Sequence, residues 1–258
     1  MFEHPSPPDP RDEGLLDEGR FLRIRSCPNA RELGGYDTPQ GRTAYHRFLR
    51  AGGTRALTSE DLQRLRQWGV TRVMDLRSVG ESPRVTCRLS NQDWVAWENV
   101  PFYDYDLSAP TMAPVHPSDN YLVTGYLHML SSATSIRRIL AFFAASRPTD
   151  CILFHCAAGI DRTGVVAMLL LGLVGVARRQ VIADYAYSFG SVAEVESLVS
   201  GATGTPPARI SSMLRIRLDT IATVYDTVIH EHGTFRAFLT SCGVDEPTLD
   251  GVTAHLIG

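Results

Sequence analysis

Two hydrophobic patterns recur along this chain. Short apolar runs bounded by turn residues read as strands, and longer stretches with apolar positions three and four apart read as helices. The short runs fall at 21–24, 70–76, 94–102 and 151–154. A capping signal, Thr58-Ser-Glu-Asp61, precedes an amphipathic run with Leu62, Leu65 and Trp68, so a helix is predicted over 59–67 and stopped by Gly69. Helical spacing returns at 121–130, 135–145 and 178–192, and over 210–232, where Met213, Leu214, Leu218, Ile221 and Val224 share roughly one face. A further apolar helix is predicted from Thr163 onward. Its longest apolar run, 165–177, contains two glycines and falls short of the roughly 20 residues a membrane span needs. Strands alternating with helices predict an α/β domain: a central, mostly parallel sheet flanked by helices on both faces.

The flanks are less regular. Residues 1–20 are rich in charge and proline, which predicts a disordered or loosely attached leader. Residues 21–258 are then expected to form one domain with a helical C-terminal part. The stretch to Pro117, rich in Pro, Ser and Asp, and the stretch 191–207 are expected as loops. Gly34-Gly35 permits a tight turn, and 29–36 read alone is a hairpin.

The chemistry concentrates in Cys151-Ile-Leu-Phe-His-Cys-Ala-Ala-Gly-Ile-Asp-Arg-Thr-Gly164, between a predicted buried strand and a predicted core helix. A strand that turns abruptly into a helix leaves the first helical N–H groups unpaired, which makes an anion site. Ala157, Ala158 and Gly159 are small enough for backbone to wrap a phosphate, with Ile160, Asp161 and Arg162 completing the loop. The Arg162 guanidinium is suited to fork onto two phosphate oxygens. Cys156 at the base of the cradle is predicted to act as a thiolate nucleophile, favoured by the same N–H groups and by Arg162. His155 is expected to hold the loop by hydrogen bonding, and Thr163 to offer its hydroxyl to the sulfur when it leaves. The plain alternative is a buried, inert cysteine in front of a core helix. Against it stand His, Cys, Gly, Arg and Thr at the required offsets.

Composition narrows the field further. With 258 residues and 44% hydrophobic content the chain can bury a large core. A formal net charge of -3 gives no reason to expect nucleic-acid binding, and all 25 basic residues are arginine, which excludes lysine Schiff-base chemistry. Five cysteines without a CxxC pair predict no disulfide framework; with no secretory pattern among the first residues, the expectation is a reduced, cytoplasmic protein. His230-Glu-His232 lacks a third ligand at suitable spacing, so neither a metal nor another cofactor is expected.

The segment HCAAGIDRTG, at 155–164, resembles the signature of cysteine-dependent protein-tyrosine phosphatases, and more narrowly that of the bacterial tyrosine/serine phosphatases, which usually read HCxxGKDRTG. The resemblance extends from about residue 26 to the end. It includes Asn29-Ala-Arg-Glu-Leu-Gly-Gly-Tyr36, Phe48-Leu-Arg-Ala-Gly52, Asp75-Leu-Arg-Ser78 with Glu81, and Asp184-Tyr-Ala-Tyr-Ser188. It implies a three-layer cysteine-phosphatase fold and a phosphomonoester hydrolase acting on a phosphorylated protein or a small phosphorylated molecule. It places Asn29 and Arg50 near the phosphate loop and an Asp75–Arg77 ion pair as its brace. Some members also hydrolyse phosphoinositides, but Ile160 stands where the family has lysine. A preference for substrates with a single phosphate and apolar character beside it is therefore expected.

The leaving oxygen needs a proton. The resemblance implies Asp161 as donor; Asp104 and Asp106, on the predicted loop, are the alternative. Two other readings stay open: a phosphate-binding module with little turnover, and a non-hydrolytic enzyme using the same pocket.

Overall fold

The computed structural model describes residues 20–22, 24, 26–82, 87–102, 121–189 and 206–258, without the side chains of 207–214. The predicted leader before Arg20, both candidate acids Asp104 and Asp106, and most of the expected loop at 191–207 lie outside the described residues.

Among the described residues the strands are β1 (Arg31–Glu32), β2 (Asp37–Thr38), β3 (Gly41–Arg42), β4 (Phe48–Ala51), β5 (Val70–Asp75), β6 (Ala96–Asn99) and β7 (Cys151–His155). The helices are α1 (Ser59–Trp68), α2 (Tyr121–Ser131), α3 (Ala133–Ala144), α4 (Asp161–Leu173), α5 (Arg178–Ala186), α6 (Pro207–His232), α7 (Phe235–Ser241) and α8 (Glu246–Ile257). Five strands form one sheet in the order β1-β4-β7-β5-β6. β7 lies parallel to both β4 and β5, β6 is parallel to β5, and the short β1 alone is antiparallel. This is the mostly parallel, helix-flanked α/β sheet that the alternating pattern predicts.

Side chains alternate across a strand, so β7 divides its residues between two cores. Cys151 and Leu153 face the smaller core with Leu49, Val73 and the α1 residues Leu62 and Leu65. Ile152 and Phe154 face the larger core with Phe48, Met74, Phe143 and apolar residues of α2 to α8. The result is three layers: α1 on one face, the sheet, and the remaining helices on the other. Every β7 residue is buried, as expected of the central strand of a parallel sheet.

Local signals explain most boundaries. Thr58 accepts from the Asp61 amide at 3.1 Å while the Asp61 carboxylate accepts from the Thr58 amide at 3.0 Å, closing the capping box that starts α1. Gly69, at φ 99°, ends α1 in the left-handed region. The turn signal in 29–36 places the hairpin slightly early. Asn29 (φ 61°) and Gly35 (φ 83°) redirect the chain, β1 pairs with β4, and the hairpin itself is β2–β3, turning at Pro39 and Gln40. Among the described residues of the strand expected at 21–24, Phe21 forms a single bridge with Arg31. No helix among the described residues is long and apolar enough to cross a membrane.

Helix α4 is buried nearly all round, which is why its sequence is apolar on every side. Its packing is tight at Gly172, where an added Cβ would lie 2.5 Å from the Phe235 ring of α7. Gly172→Ala is expected to destabilise the protein by about 1–2 kcal/mol, overpacking outweighing the gain in helix propensity. Thermal denaturation should show a Tm lowered by about 2–4 °C per kcal/mol in a chain of this size. An unchanged or raised Tm would mean that α7 yields freely.

Candidate active site

β7 ends at His155 and α4 begins at Asp161; residues 156–160 form the connection at the carboxyl end of the central strand. The α4 N-cap is Ile160, which has no side-chain oxygen to cap the first turn, so the first amides of α4 keep no side-chain partner there. The conformation of the loop is set from behind, through its carbonyls. The Ala157 carbonyl accepts from the Gly53 amide at 2.8 Å, that of Ala158 from Asn29 Nδ2 at 2.9 Å, and that of Gly159 from Arg50 Nη2 at 2.9 Å. In a trans peptide the N–H points away from its C=O, so tying these carbonyls back turns the following amides toward the concavity. The Gly159 amide points at the Cys156 sulfur, 3.3 Å away. Gly159 itself has φ 73°, and a Cβ there would lie 2.6 Å from the Gly52 amide nitrogen. Cys156 is 3% exposed, while Ala157 and Ala158 are exposed.

Beneath the loop lies a fully buried ionic cluster. Asp184 of α5 accepts from Arg31 Nε of β1 at 3.0 Å and from Arg50 Nη1 of β4. Tyr36 donates to the same carboxylate at 3.2 Å, and Arg31 Nη2 also reaches Ser188 at 3.0 Å. Burial alone would raise the Asp184 pKa, but the two guanidinium groups outweigh it and hold the carboxyl below the ordinary aspartate range. Through Arg50, this cluster fixes the Gly159 carbonyl.

Two acidic groups meet the loop at its rim. Glu81 accepts from Arg162 Nη1 at 2.5 Å and from Nη2 at 2.9 Å, a forked pair. Its hydrogen bond with Arg162 lowers the Glu81 pKa to about 2. Glu81 also accepts from the Ser78 amide at 2.9 Å. Just before it, Arg77 grips Asp75 through Nε at 2.9 Å and Nη2 at 2.6 Å, the predicted brace. On the other side, Asp161 Oδ1 accepts from the Tyr126 hydroxyl at 2.5 Å and from Arg217 Nη1 of α6 at 2.8 Å. Since Tyr126 donates to Asp161, the Tyr185 hydroxyl, 2.6 Å away, donates to Tyr126.

The structure thus brings together His155, Cys156, Ala157, Ala158, Gly159, Ile160, Asp161, Arg162 and Thr163 on one strand–loop–helix unit, with Asp75 and Arg77 on the neighbouring strand end. His155 hydrogen-bonds the Cys156 carbonyl through Nδ1 at 3.1 Å, in keeping with a loop-holding part. The Thr163 hydroxyl does not point at sulfur here; it makes a long 3.4 Å bond to the Ala51 carbonyl. Ile160 is half-buried against the larger core. His230 and His232 join no group of three metal-ligating side chains among the described residues.

The sequence reading missed four contributors: Asp184 as anchor of Arg31 and Arg50, Glu81 as partner of Arg162, and Tyr126 and Arg217 around Asp161. Asp184 and Glu81 sit inside quoted motifs, and each is an acid with an arginine to satisfy. Tyr126 and Arg217 carry no local signal; only helix packing brings them to Asp161.

Comparison with known proteins agrees with this geometry. A sequence profile of the tyrosine phosphatase family matches residues 22–258. A Cupriavidus necator protein, named provisionally as a tyrosine-protein phosphatase, is 30% identical over 210 residues, covering 78% of this chain and 76% of that protein. The triple specificity protein phosphatase PtpB of Mycobacterium tuberculosis is 30% identical over 138 residues (48% of this chain, 49% of PtpB). A tyrosine-protein phosphatase of Nostoc commune is 29% identical over 143 residues (55% of this chain, 48% of that protein). The matched segments span about half the length of the last two.

The buried cluster yields a stability prediction with a defined pH dependence. Asp184→Asn leaves two buried guanidinium groups without their counter-ion and should cost about 3–5 kcal/mol. The Asp184 carboxyl titrates lower in the folded than in the unfolded chain, so its contribution is complete above the ordinary value of 3.8 and is lost as pH falls below it. In urea denaturation, the gap between wild type and variant should be level from pH 7 to about 5 and narrow in more acidic buffer. A gap that widened on acidification would contradict the assignment of Asp184 as the ionised partner.

Proposed function

This chain belongs to the tyrosine phosphatase family, and on that premise we propose that it hydrolyses phosphomonoesters of protein tyrosine and serine side chains through a phosphocysteine at Cys156. The observation that carries the proposal is the loop itself: carbonyls tied back, an amide on the Cys156 sulfur at 3.3 Å, and Arg162 held at the rim. In the first step Cys156 sulfur attacks phosphorus, the ester P–O bond breaks, and the leaving oxygen takes a proton from Asp161. In the second, water attacks phosphorus, the S–P bond breaks and inorganic phosphate leaves, with Asp161 accepting the proton from water. The loop amides from Ala157 to Arg162 and the Arg162 guanidinium hold the equatorial oxygens throughout. Thr163 turns its hydroxyl from Ala51 to the departing sulfur. His155, Asp75 and Arg77 hold the loop and take no part in proton transfer.

Asp161 serves as the acid through Oδ2, because Oδ1 is engaged by Tyr126 and Arg217. The half-buried Ile160 supports a preference for singly phosphorylated substrates with an apolar neighbour over polyphosphorylated inositol lipids. The reading takes 21–258 as one catalytic domain, in keeping with a core that joins Leu33 to Leu256. It includes a cytoplasmic location, supported by five cysteines that are all buried and unpaired.

The test is phosphate release from 4-nitrophenyl phosphate and from phosphoserine peptides. Wild type should turn over both, and Cys156→Ser neither. Asp161→Asn should slow the alkyl ester by about a hundredfold and the aryl ester, with its better leaving group, much less. Equal loss on both would make Asp161 an anchor for Arg217 rather than the proton donor. Phosphopeptide binding without turnover by folded, reduced wild type would instead mark a phosphate-binding module.

A further inference from the structure

A second thiol lies behind the proposed nucleophile. Cys87, 3% exposed, caps the 3-10 turn Arg88–Asn91 and faces the His155 ring. Its sulfur accepts from the Thr54 hydroxyl at 3.0 Å and lies 3.7 Å from His155 Nε2. The other ring nitrogen, Nδ1, is 3.1 Å from the Cys156 carbonyl. A carbonyl only accepts, so Nδ1 carries a proton. The imidazole is therefore held at both ends, by a sulfur on one side and by the nucleophile's own backbone on the other. Asp75 Oδ2 lies 4.0 Å from Nε2 and contributes negative charge to the same edge of the ring.

The charges around the ring favour a thiolate–imidazolium pair. Burial pulls the His155 pKa down, but Cys87 and Asp75 outweigh it and raise it above the ordinary histidine value. Burial pushes the Cys87 thiol up, but the bonds from His155 and Thr54 bring it below the ordinary cysteine value. The ligating atoms of Asp75, Cys87 and His155 all lie within 4.8 Å of one another, a donor set that also suits zinc. Arg77 donates to both oxygens of Asp75, however, at 2.9 Å and 2.6 Å, and fixes a cation where a metal ion would have to bind. The hydrogen-bonded reading accounts for every member of the group; the metal reading leaves Arg77 opposed.

We infer that Cys87 is a positioning residue for the proposed reaction: its sulfur orients the His155 ring, and the ring's Nδ1–H fixes the Cys156 carbonyl and with it the thiol at the base of the loop. The inference rests on the phosphatase reading for its consequence in turnover and on geometry alone for its consequence at Cys156.

The experiment compares wild type with Cys87→Ser, which keeps a small polar partner for Nε2, and Cys87→Val, which fills the space without one. Two quantities are measured: kcat and KM on 4-nitrophenyl phosphate, and the rate of Cys156 alkylation by iodoacetamide, assigned by peptide mass spectrometry. Cys87→Val should lower both kcat and the alkylation rate by about tenfold, the scale of one hydrogen bond to a charged group. KM should hold within about twofold, since Cys87 does not touch substrate. Cys87→Ser should restore both rates to within about threefold of wild type. Wild-type rates in Cys87→Val, or equal losses in the serine and valine variants, would overturn the inference and leave Cys87 a packing residue. If Cys87→Val does not fold, Cys87→Ala takes its place in the same comparison. Failure of wild type to release phosphate would count against the phosphatase reading alone; the alkylation rates would still decide the role of Cys87.

Discussion

One carboxylate determines how the site is assembled. Asp184 lies on α5, after the loop and its helix, yet it pairs with Arg31 of β1 and Arg50 of β4, the two strands at one end of the sheet. Two guanidinium groups cannot be buried together without an anion between them, so the helix and the strands are locked in one relative position. Arg50 then spends another donor on the Gly159 carbonyl. The peptide that bends over the sulfur is thus set by ion pairs beneath it, on elements remote in sequence. Buried ion pairs of this kind favour a single arrangement, because an alternative that parts them leaves a buried charge unpaired.

At the rim a second ion pair sets the direction of Arg162. Arg162 meets Glu81 through Nη1 and Nη2, so that edge of the guanidinium faces the acid. A guanidinium has further donors, Nε–H among them, on the edge turned away from such a fork. On the proposed reading, a phosphate oxygen meets those donors without displacing Glu81. The acid aims the guanidinium and remains ionised at neutral pH, since Arg162 holds its pKa near 2. On the opposite side Arg217 sits against Asp161. A guanidinium thus lies close to the loop although position 160 carries no charge. It comes from α6, not from the loop, and approaches from a different direction than a side chain at 160 would.

The legible and the hidden parts of this protein divide along physical lines. The central strand, the α1 capping box, the Gly69 stop and the loop at 156–160 are local: their signals are periodicity, caps and fixed offsets. So is the Asp75–Arg77 brace, two residues apart. The β1–β4 pairing was not legible, because a two-residue strand has no period to read, and the turn at Asn29 and Gly35 reads alone as a hairpin. Asp184, Tyr126 and Arg217 were hidden for another reason. Each acts on a residue more than 30 positions away, and nothing in a helix's own pattern says which polar side chain will be carried inward. Tyr185 is buried, and its hydroxyl completes the chain to Asp161.

The glycine at 159 has its cause in the neighbouring strand, not only in the phosphate the loop is read to hold. β4 continues as Gly52-Gly53 directly beneath Ala157 to Gly159, and the contact is backbone on backbone. A Cβ on Gly52 would lie 2.8 Å from the Pro28 carbonyl oxygen and 2.9 Å from that of Ala158; one on Gly53 would lie 2.8 Å from that of Ala157. Gly159 meets Ala51 and Gly52 equally closely. Gly52 and Gly53 on one side and Gly159 on the other, over 100 residues apart, therefore lack side chains for one reason: the two main chains touch here, with the Gly53 amide on the Ala157 carbonyl at 2.8 Å. A side chain at any of these three glycines would lift the loop off the strand, loosen the tie to Gly53, and let the amides turn with it. The precision of the loop is thus a property of main-chain packing, on which Cys156 and Arg162 are then mounted.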